Sequence, residues 1–385
     1  MIGANIDDPY IAELKKLVLN QDAINAVADD LKIVYTPLHG TGNIPVRRVL
    51  KELGFKHVYV VPEQELPDGN FPTVSYPNPE AAEAFTLGLG MAKELDADLV
   101  LATDPDADRL GVYVKDSKTG EYHSLTGNMS GCLIGAYEIS QRKEKQGLPA
   151  DGAFVKSIVS TNLADAIAAD YGVKLYEVLT GFKFIGQKML EFETKGNGTY
   201  LFGMEESYGC LPGTYCRDKD AVVASMALCE AAAYYKTQGK TLWDAMLDLY
   251  EKYGYYKDDV KAITLKGIEG LAKIQEIIIQ YVGIRQTRRC HCTCLQICDR
   301  ILLVVSCFQH FVFPPVRYRA KTEILLWCQS RQHGSSRCKS SRAWRSSYGY
   351  RRADVRLMVH MSTNEYRLCD LFSLTNTGKT SINSL

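Results

Sequence analysis

Apolar positions along this chain switch repeatedly between helical and strand spacing, and the switches mark out its elements. Residues 10–28 carry apolar side chains at helical spacing among acidic ones, so one amphipathic helix is expected there. Lys32–Thr36 is an apolar β-type run, followed by the turn Pro37-Leu-His-Gly-Thr-Gly42. Val46, Val49, Leu50 and Leu53 repeat as one helix face, and Gly54 is placed to stop that helix. A strand is expected at 58–61, a long Pro- and Gly-punctuated loop at 62–79, a helix at 80–95 and a buried strand at 98–102. The alternation then begins again: strands at 154–159, 173–179 and 199–202, with helices at Leu163–Tyr171 and 184–192 between them. An Ala-rich helix at 219–235 and another at Leu242–Tyr253 close this second half. A strand at 255–265 and a helix starting at 271–279 are the last elements the pattern supports.

Strand–helix alternation of this kind builds sheets with helices on their faces. The fold class is therefore α/β: two consecutive α/β/α domains with mixed sheets, at 1–124 and 125–265. A linker helix at 266–284 and a tail at 285–385, expected to be unstructured, follow.

Charge changes the picture most at that tail. Residues 1–280 hold 23 Lys and 5 Arg against 40 Asp and Glu, a formal charge of −12. Residues 281–385 hold 3 Lys and 14 Arg against 5 acids, a formal charge of +12, with eight of the 12 cysteines. Propensity, period and turn chemistry stop agreeing there, which is the mark of a sequence not selected to fold. Translation out of frame from about 276–284 onward explains this better than a genuine basic appendage, and reading the coding DNA in the other frames tests it. The acidic body and the lack of a nucleic-acid-binding module argue against a nucleic-acid partner. Asp7, Asp8 and Glu13 interrupt the first residues, so no signal peptide is read. The longest apolar run, 301–313, falls short of the ~20 residues a membrane span needs. The body's four cysteines suit a reducing compartment, so a cytoplasmic location with no membrane partner is expected.

Chemistry concentrates in four loops. Asp104-Pro-Asp-Ala-Asp-Arg109 follows the 98–102 strand, and three carboxylates at alternate positions of a tight turn can converge on one hard divalent cation. An EF-hand is excluded, because its sixth position would be Arg109 and its twelfth Lys115. Gly203-Met-Glu-Glu-Ser-Tyr-Gly209 offers carboxylates and a hydroxyl between glycines, suited to adjacent sugar hydroxyls or to an ordinary surface turn. Leu179-Thr-Gly-Phe-Lys183 opens a helix whose N–H groups, with Lys183, can hold an anion or form a plain cap. Arg217-Asp-Lys-Asp220 opens the Ala-rich helix, where two cations can face a phosphate or the acids can serve the helix dipole. His39 is read as a structural residue of its glycine turn. The Cys290-His-Cys-Thr-Cys294…Cys298 cluster has spacing awkward for tetrahedral zinc.

Together these loops, in this order, resemble the α-D-phosphohexomutases of the phosphoglucomutase/phosphomannomutase type, over about residues 10–274. The resemblance implies that Asp104, Asp106 and Asp108 bind Mg²⁺ and that Arg109 faces a phosphoserine. It likewise implies that Glu205 and Ser207 grip sugar hydroxyls, that Thr180 and Gly181 read the sugar's orientation, and that Lys219 contacts substrate. Pro105 stands where the pattern often has Gly. The stretch Val61-Pro-Glu-Gln-Glu-Leu-Pro-Asp-Gly-Asn-Phe-Pro-Thr73 is most similar to the phosphoglucomutase branch with bacterial and phosphopentomutase-related members. The implied partners are hexose 1-phosphate and 6-phosphate, interconverted through a bisphosphate. Such enzymes have four domains, the first with a phosphorylated Ser-His-Asn-Pro segment and the last with a Ser-Gly-Thr phosphate loop. Neither segment occurs in these 385 residues, so the expectation is domains two and three of such an enzyme. The alternative is an inactive remnant that still binds metal or sugar phosphate.

Overall fold

The computed structural model describes residues 3–258, 264–266 and 273, together with strand segments 302–308, 321–327, 330–332 and 357–359. It divides into two units, Met1–Tyr255 and Tyr256–Leu385.

The first unit begins with helices α1 (Ala4–Lys15) and α2 (Gln21–Val27), where the sequence suggested one. The break has a cause far along the chain. The Glu230 carboxylate accepts hydrogen bonds from the N–H groups of Leu19 (2.8 Å) and Asn20 (2.6 Å), so a distant side chain fixes the backbone between the helices. Strand β1 (Lys32–Thr36), helix α3 (Asn43–Leu53), strand β2 (His57–Val60) and a one-turn helix α4 (Pro62–Glu65) follow. Helix α3 buries Val46, Val49, Leu50 and Leu53, each burial contributing roughly 1.5–3 kcal/mol before chain entropy is counted. It ends where Gly54 takes φ 103°, a left-handed cap open to glycine. The helix expected at 80–95 starts later, as a 3₁₀ turn (Ala82–Phe85) leading into α5 (Thr86–Leu95).

Strands β3 (Leu99–Thr103), β4 (Leu110–Lys115) and β5 (Tyr122–Leu125) complete a five-stranded sheet of order β2-β1-β3-β4-β5. Strands β2, β1 and β3 run parallel, and β4 and β5 are antiparallel additions. Ile33, Val34, Tyr35 and Leu99 to Ala102 are all buried, which is why these central strands read as continuous apolar runs rather than alternating ones.

The 19-residue helix α6 (Gly127–Lys145) leads into the second sheet, with Thr126 accepting from the Met129 N–H as its cap. Then come β6 (Gly152–Ser157), α7 (Leu163–Tyr171), β7 (Lys174–Val178), α8 (Phe182–Lys195), β8 (Thr199–Met204) and β9 (Cys210–Leu211). The sheet order is β7-β6-β8-β9, parallel except for β9. Helices α9 (Ala221–Thr237) and α10 (Leu242–Tyr253) finish the unit, and α9 packs against both α2 and α3 of the first half. Two α/β layers with mixed sheets are thus present, as the alternation implied.

Beyond residue 255, β10 (Tyr255–Lys257) is followed by β11 (Thr264–Lys266), β12 (Leu302–Phe308), β13 (Lys321–Trp327), β14 (Ser330–Gln332) and β15 (Leu357–Val359). Strand β13 pairs antiparallel with β11 and β12 and parallel with β15. Most of the helix expected at 271–279, the Cys290–Cys298 cluster and the packing of the 285–385 tail lie outside the described residues. No helix among the described residues is long and apolar enough to cross a membrane.

Candidate active site

All three loops that carry the sequence-predicted carboxylates and sugar contacts leave the carboxyl ends of parallel strands: β3 into Asp104, β7 into Leu179-Thr-Gly181, and β8 into Glu205. In α/β sheets this edge is where strands stop and loops diverge, leaving a crevice for ligands.

The Asp104–Arg109 loop is a tight turn organised by its first residue. Asp104 Oδ1 accepts from the N–H groups of Asp108 (2.9 Å) and Arg109 (3.0 Å), and Ala107 takes φ 57° to make the turn. This folds the three carboxylates inward, with one oxygen of each within 4.8 Å of the others. Asp104 is buried, Asp106 exposed and Asp108 half-buried. Burial, then the Asp108 and Asp106 charges, push the Asp104 carboxyl up to about 7. Arg109 lies 3.5 Å from Asp108 and 3.5 Å from Glu80, and Lys219 Nζ lies 2.7 Å from Asp108 Oδ2. Asp108 Oδ1 and Arg109 Nε face each other in that 3.5 Å ion pair, both buried and neither making a hydrogen bond. Three hard oxygen donors that converge and repel one another fit a divalent cation such as Mg²⁺.

The turn after β1 braces this loop from the other side. Gly40 packs so closely on Pro105 that a Cβ would collide with its backbone, and Thr41 N–H donates to the Pro105 carbonyl at 2.8 Å. His39 has both ring nitrogens engaged, with the Leu66 carbonyl (3.1 Å) and the Thr73 hydroxyl (2.9 Å), consistent with a structural role.

The Glu205–Gly209 turn connects β8 to β9, closed by Glu205 N–H on the Gly209 carbonyl at 2.9 Å. Glu205 is buried, and its carboxylate accepts from Gly181 N–H at 2.7 Å, which joins the Thr180–Gly181 loop to this one. Burial, then the neighbouring Glu206 charge, push the Glu205 carboxyl up to about 7. Gly181 has φ 117°, a conformation that disfavours any side chain, and Thr180 Oγ1 is buried without a hydrogen-bond partner. Ser207 sits half-buried at the tip. The Lys219 stem crosses Gly209, which has no side chain to block it, before its ammonium reaches Asp108.

The expected loops therefore meet: Gly181 touches Glu205, and Lys219 spans the sugar-type turn and the acidic loop. Two main-chain bonds reinforce the meeting, Leu110 N–H to the Tyr208 carbonyl (3.0 Å) and Ala221 N–H to the Ala107 carbonyl (2.9 Å). Lys183 and Arg217 stand apart. Lys183 is exposed over the Phe184 ring, and Arg217 is exposed and paired with Glu193. Sequence reasoning assigned no role to Glu206 within the sugar-type turn, to Ser157 and Lys156 behind it, or to Glu80, which faces Arg109. Only the doubled Glu205-Glu206 hinted at any of them.

The family model for phosphoglucomutase/phosphomannomutase α/β/α domain II matches residues 8–120, and the one for domain III matches residues 126–253. The phosphoglucomutase of Staphylococcus epidermidis is 37% identical over 271 residues, 70% of this chain and 48% of that protein. That of Staphylococcus aureus is 38% identical over 252 residues, 66% of this chain and 44% of the relative. The chain spans about half the length of the curated relatives it matches. Paramecium parafusin, a phosphoglucomutase solved in its open form, shares the fold with TM-score 0.56 and 18% identity, over 85% of this chain and 59% of that one. A phosphoglucomutase/phosphomannomutase family protein from Burkholderia thailandensis gives TM-score 0.50 and 17% identity, over 80% of this chain and 60% of that one. With both family domains matched in tandem across the two sheets that meet at these loops, the chain belongs to the phosphoglucomutase/phosphomannomutase family.

Proposed function

We propose that this chain carries the metal-binding and sugar-binding half of a phosphohexomutase, an intramolecular phosphotransferase that interconverts sugar 1-phosphates and 6-phosphates, glucose phosphates first. The observation that carries this reading is the Lys219 bridge: one ammonium 2.7 Å from Asp108, on a stem lying across Gly209, so that metal and sugar loops share one cation. The relatives named phosphoglucomutase support the substrate class.

Asp104, Asp106 and Asp108 would hold Mg²⁺, which when bound offsets negative charge on a phosphoryl group in transfer. Arg109 and Lys219 present cations to the same phosphoryl group, while Glu80 and Asp108 hold Arg109 in place beforehand. Glu205 and Ser207 accept and donate hydrogen bonds to neighbouring sugar hydroxyls, with Thr180 Oγ1 available as a further partner. The Glu205 carboxyl, titrating near neutrality, can act in either state toward a hydroxyl. The phosphoryl donor in this scheme is a phosphoserine of the Ser-His-Asn-Pro type, which these 385 residues do not contain.

Calorimetric titration with glucose 1,6-bisphosphate and Mg²⁺ tests the reading. The chain should bind the bisphosphate, and Asp106→Asn or Glu205→Gln should weaken that binding. In a coupled glucose 6-phosphate dehydrogenase assay the 385-residue polypeptide should bind without turnover. Turnover that Asp104→Ala abolishes would refute the requirement for the phosphoserine, and absence of any bisphosphate binding would refute the site.

A further inference from the structure

Two consecutive glutamates in the sugar-type turn meet opposite environments. Glu205 faces the loop crevice and the Gly181 N–H. Glu206 turns the other way, and its Oε2 accepts the Ser157 hydroxyl at 2.6 Å. Ser157 in turn shares a hydrogen bond of 2.9 Å with Ser160, both fully buried at the end of β6. The turn that holds these serines is built around a buried ammonium. Lys156, with no exposed surface, donates to the carbonyls of Ser160 (3.3 Å) and Thr161 (3.2 Å) and to Asn162 Oδ1 (3.2 Å). Asp165 at 2.6 Å and Glu177 at 3.3 Å balance its charge. Burying an ammonium is costly unless it is paired and fully hydrogen-bonded, and here its donors go to fixing main-chain carbonyls. The same turn is tied to α6 by Thr161 N–H on Asn128 Oδ1 at 3.1 Å. Helix α6 also meets the sugar-type turn directly, because Gly127 lies where any Cβ would strike the Glu206 carbonyl.

We propose that Glu206 is a positioning residue, whose bond to Ser157 on the turn organised by Lys156 fixes the Glu205–Gly209 loop so that Glu205 and Ser207 face the substrate. The inference deepens the sugar-binding reading above and rests on it for the ligand. The loop geometry itself does not depend on that reading. A carboxylate that only filled space would not need a buried serine pair and a caged lysine beneath it. Without this anchor the bonds of the turn described above are those at Glu205, Tyr208 and Gly209, which fix its ends rather than Glu206.

Amide hydrogen exchange followed by mass spectrometry, alongside calorimetry with glucose 1,6-bisphosphate and Mg²⁺, tests this on the full chain. Glu206→Ala should speed exchange of the 205–209 amides about tenfold or more and weaken bisphosphate binding by a similar factor. Mg²⁺ binding without sugar should stay within about twofold of wild type. Glu206→Gln should restore both loop protection and affinity, since its Oε1 still accepts the Ser157 hydroxyl. Ser157→Ala removes the same bond at little cost to packing and should shift both readouts in the same direction, so it decides the matter if Glu206→Ala fails to fold. Wild-type exchange in Glu206→Ala or Ser157→Ala overturns the proposal, as does a Gln variant as impaired as the Ala one. If no variant, nor the wild type, binds the bisphosphate while the exchange pattern follows this order, the positioning role stands and the sugar-phosphate reading fails.

Discussion

Substituting Gly40 by Ala strains the contact on which the acidic loop leans. A Cβ on residue 40 would fall within 3 Å of the Pro105 Cα, carbonyl carbon and oxygen, all main-chain atoms that cannot swing aside. The turn must retreat, and the retreat breaks two hydrogen bonds to the Pro105 carbonyl, from Thr41 N–H (2.8 Å) and Thr41 Oγ1 (3.1 Å). Overpacking of this kind costs about 1–3 kcal/mol, and each lost bond about 1 kcal/mol. Because breaking the bonds relieves the strain, the two contributions overlap, and a net destabilisation of about 2–4 kcal/mol is expected. For a body of this size that lowers the melting temperature by roughly 4–16 °C. Gly90→Ala is the matched control: residue 90 is exposed in α5 with open space where its Cβ would go. The same chemical change there should stabilise by about 0.5–1 kcal/mol through helix propensity. Thermal melts of both variants, each with and without Mg²⁺, make the measurement. Gly40→Ala should also lose most of its Mg²⁺-dependent shift, since Pro105 sits between Asp104 and Asp106. A Gly40→Ala protein that melts within about 1 °C of wild type would refute the reasoning, whatever its response to metal.

Lys219→Met removes the ammonium beside Asp108 and should raise Mg²⁺ affinity about 3–10-fold while weakening bisphosphate binding; calorimetry that finds Mg²⁺ affinity unchanged counts against the shared-cation geometry. Glu138 sits buried in α6, where burial outweighs its Arg142 partner and pushes the carboxyl up from 4.5 to about 7. The folded state therefore holds this proton more tightly than the unfolded chain, and the associated stability, full below about pH 4.5, is lost as pH rises through 7. Urea unfolding at pH 5 and pH 8 should show Glu138→Gln losing less stability across that interval than wild type, by up to about 3 kcal/mol; equal losses would remove Glu138 as a source of the pH dependence.

The elements that the sequence revealed are those whose environment is one-sided or wholly apolar. Helix α3 has one buried stripe and a glycine stop, and β3 is an unbroken apolar run ending in charged loop residues, so both could be read directly. Helix α6 could not. Residues on every face of it are buried, including Asn128, Glu138 and Gln141, so no polar stripe announces its period. Strands β4 and β5 are short antiparallel additions whose pairing depends on β3, not on a local signal. The break between α1 and α2 is set by Glu230, some 210 residues away in sequence, and no window around residue 19 contains that cause. Likewise the three loops were legible as separate motifs, the acidic one by its three aspartates, the sugar-type one by acids between glycines, and Thr180–Gly181 by its glycine turn before a helix. Their convergence was not, since it arises from the packing of two sheets through α6 and α9. The resemblance to a family supplied the joint reading that local pattern lacks.

Beside the Lys219 bridge, peptide groups hold the acidic loop at two points, Leu110 N–H to Tyr208 of the sugar-type turn and Ala221 N–H, at the start of α9, to Ala107. Peptide groups are the same whatever side chains the residues bear, and none of these four donors and acceptors belongs to a proline. These two bonds are thus insulated from ordinary substitution at the residues that make them. Exchanging Ser207 at the tip of the turn leaves both peptide-group hydrogen bonds in place, and with them the distance to the three aspartates. Variation at that tip can therefore accumulate without moving the three aspartates.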